Sequence, residues 1–84
     1  MRRRNLEFSD AFALVLQHHR TTKKISKQTV AQKAGLHQTY IGKIESGLSN
    51  PSLDAANAIA EALGISFATL VAEAERLRKE SASP

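Results

Sequence analysis

The 84-residue sequence contains no cysteine and no long apolar run. Without cysteine, neither a disulfide nor a thiolate zinc site can reinforce the core, and nothing indicates an oxidising compartment. No stretch approaches the roughly 20 apolar residues that span a bilayer. The N-terminal "MRRRNLEFSD" is not followed by the apolar segment of a secretory signal. We therefore expect one small cytoplasmic domain with a marginal core.

Acidic residues are scarce in the first half of the chain. Residues 1–43 contain nine basic and two acidic residues, a net charge of +7, whereas residues 44–84 contain three basic and six acidic residues, a net charge of −3. A positive half of this kind indicates a polyanionic partner, such as nucleic acid or an acidic membrane surface. The alternative is a solvated, lysine-rich face without a partner.

The sequence also lacks the residue groupings of enzymes and metal sites. No nucleophile lies beside a base, and no glycine-rich phosphate loop occurs. His18 and His19 are adjacent, so on a helix their side chains point about 100° apart. Neither they nor His37 have acidic or thiol partners at ligand spacing. We therefore expect no enzymatic activity, no cofactor and no metal.

Apolar residues recur at helical spacing throughout the chain, and no stretch shows the sustained alternation of a strand. The sequence predicts an all-α domain over residues 8–78, between a flexible basic arm at residues 1–7 and a polar tail at residues 79–84. Five helices are predicted, with a serine as N-cap of all but the third. They run from Ser9 to Arg20, from Ser26 to Ala34, from Gln38 to Ser46, from Ser52 to Gly64 and from Ser66 onward.

The second and third predicted helices form a helix-turn-helix. Gly35 can adopt the left-handed conformation that ends a helix, and only Leu36 and His37 follow before the helical spacing resumes. Two short helices joined by about four residues that include a glycine are typical of this motif. The small side chains of Ala31 and Ala34 allow the two helix axes to approach closely.

Residues 25–70, "ISKQTVAQKAGLHQTYIGKIESGLSNPSLDAANAIAEALGISFATL", resemble the lambda-repressor-like (Xre-type) helix-turn-helix family. The resemblance is carried by Ala31 and Gly35 around the turn, the run Ile41-x-x-Ile44-Glu45-x-Gly47, "NPSL" at 50–53 and "ALG" at 62–64. It implies a five-helix DNA-binding domain whose third helix lies in the major groove of double-stranded DNA. It further implies that Gln38, Thr39 and Lys43 face bases, whereas Gly42 stands where the family usually carries a side chain.

Contacts with DNA phosphates are expected at the start of helix 2, at the entry to helix 3 and in the loop after it. The residues there are Lys27, Gln28, His37, Tyr40, Ser49 and Asn50. Backbone N–H groups at helix N-termini suit phosphate because they are unsatisfied and lie at the positive end of the helix dipole. Tyr40 can alternatively be a packing residue. Arg2, Arg3 and Arg4 can form either a solubilising tail or an arm that enters a minor groove.

The resemblance also implies an ion pair between Arg20, at the end of helix 1, and Glu45, near the end of helix 3. A planar guanidinium can engage a carboxylate through two hydrogen bonds and so hold the recognition helix against helix 1. The alternative is an exposed arginine beside a helix C-terminus.

The fifth helix carries more apolar residues than so small a domain is expected to cover. The candidate dimer residues on it are Phe67, Leu70, Val71 and Leu77. One helix-turn-helix makes a small footprint on DNA, and operators in the family usually have two-fold symmetry, so we expect a homodimer. The alternative is a monomer whose fifth helix closes its own core.

These features favour a sequence-specific transcriptional regulator of double-stranded DNA, similar to small regulators such as restriction-modification controller proteins, with no membrane partner. The alternative is the antitoxin of a toxin–antitoxin pair, which binds a toxin protein and autoregulates through DNA. An architectural protein without sequence preference is disfavoured, because the third helix carries Gln38 and Lys43 rather than a purely basic face.

Overall fold

The computed structural model describes residues 6–82. This part of the chain contains no strand and forms five helices: α1 (Phe8–Thr22), α2 (Lys27–Ala34), α3 (Gln38–Glu45), α4 (Leu53–Leu63) and α5 (Phe67–Ala82). The predicted all-α fold of five helices is confirmed. Arg2, Arg3 and Arg4 lie outside the described residues, so both interpretations of the basic arm stay predictions.

Local sequence signals set the ends of α2 and α4. Ser26 and Ser52 are the N-caps, and each hydroxyl accepts a hydrogen bond of 3.0 Å from the backbone N–H three residues later. Gly35 and Gly64 end the helices at φ +71° and +73°. This left-handed conformation is open to glycine at little cost because it has no Cβ.

The N-terminus of α1 differs from its prediction. The helix begins at Phe8 with Glu7 as N-cap, so Ser9 lies inside the first turn and its predicted role as N-cap is wrong. Glu7 has the extended backbone of a cap but makes no side-chain capping bond. Phe8 instead stacks on Phe12 one turn later, with ring centroids 6.4 Å apart. Aromatic packing therefore replaces a polar cap at this end.

Two helices are longer than predicted. α1 continues past Arg20 to Thr22, and α5 continues through residues 79–82, which the sequence pattern assigns to the polar tail. Glutamate and lysine have high helix propensity and extend a helix that apolar residues have anchored. In α5, the charged groups of Glu75 and Lys79 lie 3.9 Å apart at a spacing of four residues, which supports the helix.

All five helices contribute to one hydrophobic core. α1 packs on α5, α2 packs on α3 and α4, and α3 also packs on α1. The largest fully buried side chains are those of Leu16, Val30, Ile41, Ile44, Ile59 and Leu70. Within residues 6–82, no buried side-chain nitrogen or oxygen lacks a hydrogen-bond partner. Burial in the core is therefore not opposed by unpaired polar groups.

No single helix in the described part of the chain is long and apolar enough to cross a membrane. Taken together, α4 and α5 have the length and composition of a membrane span, but they are bent at 104° to each other. Mostly buried core helices of soluble proteins can have the same length and composition. Ile59 and Ala60 of α4 and Leu70 of α5 are fully buried in the core.

Candidate nucleic-acid interface

α2 and α3 form the predicted helix-turn-helix. Gly35, Leu36 and His37 separate the two helices. The backbone N–H groups of Gly35 and Leu36 donate to carbonyl groups in the last turn of α2, at 3.3 and 2.9 Å. Val30 and Ala31 are buried on the inner side of α2. The left-handed glycine thus turns the chain back so that α3 packs beside α2.

α3 has one buried face and one polar face. Ile41 and Ile44 are buried in the core, whereas the side chains of Gln38, Thr39 and Lys43 are exposed. Successive residues of a helix are rotated by about 100°, so the polar side chains lie roughly opposite the two isoleucines. The three residues predicted to face bases therefore present an amide, a hydroxyl and an ammonium group on one surface, which we call the polar face of α3.

The entry to α3 leaves backbone donors available. His37 is the N-cap of the helix, but its side chain makes no capping hydrogen bond. The first N–H groups of a helix have no intrahelical acceptor and lie at the positive end of the helix dipole. His37 and Gln38 are exposed at this point. A phosphate oxygen is the kind of acceptor that such a helix N-terminus binds.

The other residues predicted to contact phosphates differ in exposure. Gln28, at the start of α2, is exposed, and its neighbour Lys27 is half-buried. In the loop after α3, Asn50 is exposed, while Ser49 is half-buried and its backbone N–H donates to a carbonyl of α3 at 3.2 Å. Tyr40 is half-buried and packs against the hydrophobic core, as the packing alternative expects.

An ion pair holds α3 against α1. Arg20 Nε and Nη2 donate to Glu45 Oε2 and Oε1, at 2.6 and 2.9 Å, so the pair is bidentate. The remaining nitrogen, Nη1, donates to the carbonyl of Ile25 at 2.9 Å. The Arg20 side chain is 12% exposed and the Glu45 side chain 2% exposed. The expected pair of Arg20 and Glu45 is therefore present, and it is largely buried.

The surroundings of Arg20 favour its charged form. The hydrogen bonds to Glu45 raise the pKa of Arg20 above its ordinary value, burial of the guanidinium opposes the shift, and the charge of the Glu45 carboxylate adds to it. An arginine is already fully charged at neutral pH. The pair therefore connects α1, the connector at Ile25 and α3 throughout the neutral range.

A second contact between helices, which sequence reasoning missed, joins α1 to α5. His19 Nε2 lies 2.7 Å from Glu73 Oε1, and the two side chains are 21% and 31% exposed. The apolar spacing of α1 predicts that His19 faces inward. No local signal identifies its partner, because the two residues are 54 positions apart in the chain. The contact fixes α5 to the helix that also carries Arg20.

The described residues contain no candidate metal centre. Within residues 6–82, no group of three or more His, Cys, Asp or Glu side chains could hold a metal ion. His18 and His19 have ring centroids 5.8 Å apart, and His19 directs Nε2 to Glu73.

An apolar groove lies where the first turns of α1, α4 and α5 meet. It has a volume of about 420 Å³, and its lining consists of Phe8, Ser9, Phe12, Asn50, Pro51, Leu53, Ala56, Phe67 and Val71. Phe12 and Phe67 meet edge to face in it, with ring centroids 6.2 Å apart. Leu53 is 77% exposed and Phe8 is 40% exposed. Two of the predicted dimer residues, Phe67 and Val71, thus line an open apolar surface.

The prediction that Leu70 lies in a dimer interface is wrong. Leu70 is fully buried with Ala74 inside its own chain. Leu77 is half-buried and packs against the same core. The physical reason is that α1 packs along α5 and covers the centre of its apolar stripe. α5 therefore closes the core of its own chain and leaves only the margins of the stripe at the surface.

Comparison with known sequences identifies the class of protein. Residues 16–70 match the family described as helix-turn-helix. The chain is 36% identical over 63 residues to the immunity repressor protein of Bacillus phage phi105, a match that covers 75% of this chain and 44% of the repressor. It is 31% identical over 68 residues to an uncharacterized HTH-type transcriptional regulator of Mycobacterium tuberculosis, with 81% of this chain and 49% of the regulator covered. The chain spans about half the length of these relatives.

Solved structures share the fold. The restriction-modification controller protein C.AhdI from Aeromonas hydrophila is 35% identical with a TM-score of 0.71, and the match covers 74% of this chain and 94% of that protein. The clp gene regulator ClgR from Corynebacterium glutamicum has a TM-score of 0.87 at 22% identity, with coverage of 94% and 84%, a likeness of fold alone. The chain belongs to the helix-turn-helix family and has the lambda-repressor-like fold of its DNA-binding transcriptional regulators.

Proposed function

We propose that this protein is a sequence-specific transcriptional regulator that binds double-stranded DNA as a homodimer on a two-fold symmetric operator, with α3 in the major groove. The observation that carries the proposal is the polar face of α3. Ile41 and Ile44 anchor the helix in the core. Glu45 fixes it to α1 through Arg20. The major groove is wide enough to take a helix held in this way.

Each side chain of the polar face has a base edge that it can recognise. The Gln38 amide can engage N6 and N7 of adenine together, and the Lys43 ammonium can reach O6 and N7 of guanine. The methyl group of Thr39 can pack on a thymine methyl. A good bidentate contact discriminates against the wrong base by about 1–3 kcal/mol. A few such contacts would specify a short half-site.

Phosphate contacts would set the register of α3 in the groove. Lys27 and Gln28 at the start of α2 and the uncapped entry at His37 flank the turn, and Ser49 and Asn50 follow α3. The remaining candidate for a phosphate contact is the hydroxyl of Tyr40, which is half-buried on α3. The net charge of +7 over residues 1–43 would attract the backbone of any DNA sequence.

The second copy is proposed to pack at the groove and the exposed margin of α5. Phe67 and Val71 line this surface, and pairing would remove Phe8 and Leu53 from water. Leu77 contributes the part of its side chain that the core leaves uncovered. Two recognition helices related by two-fold symmetry would read half-sites about 34 Å apart, one turn of DNA.

Selection of bound fragments from random and genomic DNA with the purified protein tests the proposal. We expect enrichment of one two-fold symmetric sequence. Gln38→Ala and Lys43→Ala should each weaken binding to that sequence by about 1–3 kcal/mol and affect a scrambled duplex far less. Light scattering with and without DNA tests the association, and a monomer in both conditions at micromolar concentration would exclude the homodimer.

The matched control is Arg78→Ala, which removes the same charge as Lys43→Ala from an exposed position on α5. It should leave the ratio of operator binding to scrambled binding unchanged. Equal losses on both duplexes for the Gln38 and Lys43 variants would show that α3 does not read the sequence.

A further inference from the structure

The polar face of α3 has a gap at Gly42. This residue lies one turn after Gln38 and next to Lys43, so its Cα is on the same side of the helix as the side chains of the polar face. Glycine in a helix interior is destabilising relative to alanine. A glycine at this position therefore requires a reason.

The fold supplies no such reason. The residues with positive φ in the described chain are Lys24, Gly35, Gly47 and Gly64, so the backbone at Gly42 is open to any residue. A Cβ added at Gly42 would meet no atom within 4 Å. Neither backbone conformation nor internal packing excludes alanine. The gap is open on the side where α3 is proposed to meet DNA.

The chemistry of the gap selects its partner. The carbonyl of Gly42 accepts a hydrogen bond from the backbone N–H of Ser46 at 3.0 Å, as expected inside a helix. The gap therefore offers mainly C–H groups, and a polar base edge gains little there. The apolar group that bases present in the major groove is the C5-methyl of thymine.

We propose that Gly42 forms a recess that accepts a thymine methyl between Gln38 and Lys43 and so determines specificity at one base pair; this inference rests on the proposed function. A methyl group in contact with the bare backbone loses its exposure to water. A Cβ at position 42 would occupy the same space, so alanine would be excluded by the DNA although the chain itself tolerates it.

The test compares the wild type with Gly42→Ala on the selected operator and on duplexes in which deoxyuridine replaces one thymine of each half-site in turn. Deoxyuridine removes only the methyl. For the wild type, replacement at one position should cost about fourfold in affinity for each half-site, the effect of one buried methyl-sized group. Gly42→Ala should bind the thymine operator about tenfold more weakly for each half-site, and the loss on deoxyuridine replacement at that position should disappear.

Thermal unfolding separates this effect from damage to the fold. Gly42→Ala should raise the Tm by about 4 °C, because alanine favours the helix and meets no clash. A variant that is more stable but binds its operator more weakly is the expected signature. A lower Tm would overturn the premise that the chain tolerates a side chain at this position.

Arg78→Ala, the control already used for Lys43→Ala, is the control here too, since it changes an exposed residue of α5 that lies outside the polar face of α3. It should retain the wild-type sensitivity to deoxyuridine at the position read by Gly42. This inference alone is overturned if wild type and Gly42→Ala bind the selected operator equally. It is also overturned if both proteins respond in the same way to deoxyuridine at every position. Failure to select any sequence overturns the proposed function and this inference with it.

Discussion

Replacing Arg20 with methionine should destabilise the protein strongly, because it removes one partner of a buried ion pair. Methionine keeps apolar contacts of the arginine stem. It leaves the Glu45 carboxylate, which is 2% exposed, without two donors, and the carbonyl of Ile25 without one. Breaking a buried pair in this way costs about 3–5 kcal/mol. A domain of this length has a total stability of about 4–13 kcal/mol, so the loss is a large fraction of the whole.

Urea unfolding and thermal unfolding, both followed by circular dichroism, would measure the effect in Arg20→Met, Glu45→Met and the double variant. At about 4–8 °C per kcal/mol, the Tm of Arg20→Met should fall by at least about 12 °C. Two apolar side chains in place of a buried ion pair are often neutral or stabilising. The double variant should therefore recover most of the stability that each single variant loses.

The raised pKa of Arg20 determines how this stability depends on pH. A group whose pKa is raised by folding stabilises the protein at every pH below its unfolded pKa, and this contribution is lost only as the pH rises through the folded pKa. The contribution of Arg20 should therefore be constant across the neutral range.

The reasoning about the ion pair would be refuted if Arg20→Met were as stable as the wild type. It would also be refuted if the double variant lost as much stability as the two single variants together.

Lys27→Ala should weaken binding to all DNA sequences about equally and lower the salt slope of binding by about 1 in a titration series; a loss confined to the operator would contradict a phosphate contact. Leu70→Ala should lose about 2–5 kcal/mol in urea unfolding, because Leu70 is fully buried; a loss near zero would mean a surface position. Lys24→Gly should gain about 1 kcal/mol in the same assay, because Lys24 has φ +59°; a loss would mean that its side chain makes a stabilising contact.

Sequence reasoning was reliable where one residue and its neighbours decide the structure. Ser26 caps α2 through a bond within one turn, and Gly35 ends the helix through its own backbone freedom. Such signals are short-range, so they can be read without knowledge of the fold. The same reasoning failed at Ser9, although its hydroxyl is locally as suitable for an N-cap. The helix begins one residue earlier, at Phe8, which stacks on Phe12.

The parts that sequence reasoning missed depend on which helices meet. The spacing of Leu70 and Val71 marks both as apolar positions of α5, but only the packing of α1 decides that the first is buried and the second borders a groove. The partner of His19 was beyond reach for the same reason. Arg20 and Glu45 are also far apart in the chain, and the family resemblance rather than any local pattern indicated their pairing.

Because α5 buries Leu70 and Ala74 within its own chain, each copy carries a complete core. Obligate dimers have no stable folded monomer, and their stability depends on protein concentration. Folding of this chain does not require the proposed association, so copies diluted below the dissociation constant of a dimer should stay folded. If the proposed homodimer forms, folded copies can accumulate before they pair, and occupancy of a two-fold operator by weakly associating copies then rises with the square of their concentration. The self-contained core thus allows a steep, threshold-like response to the amount of protein in the cell.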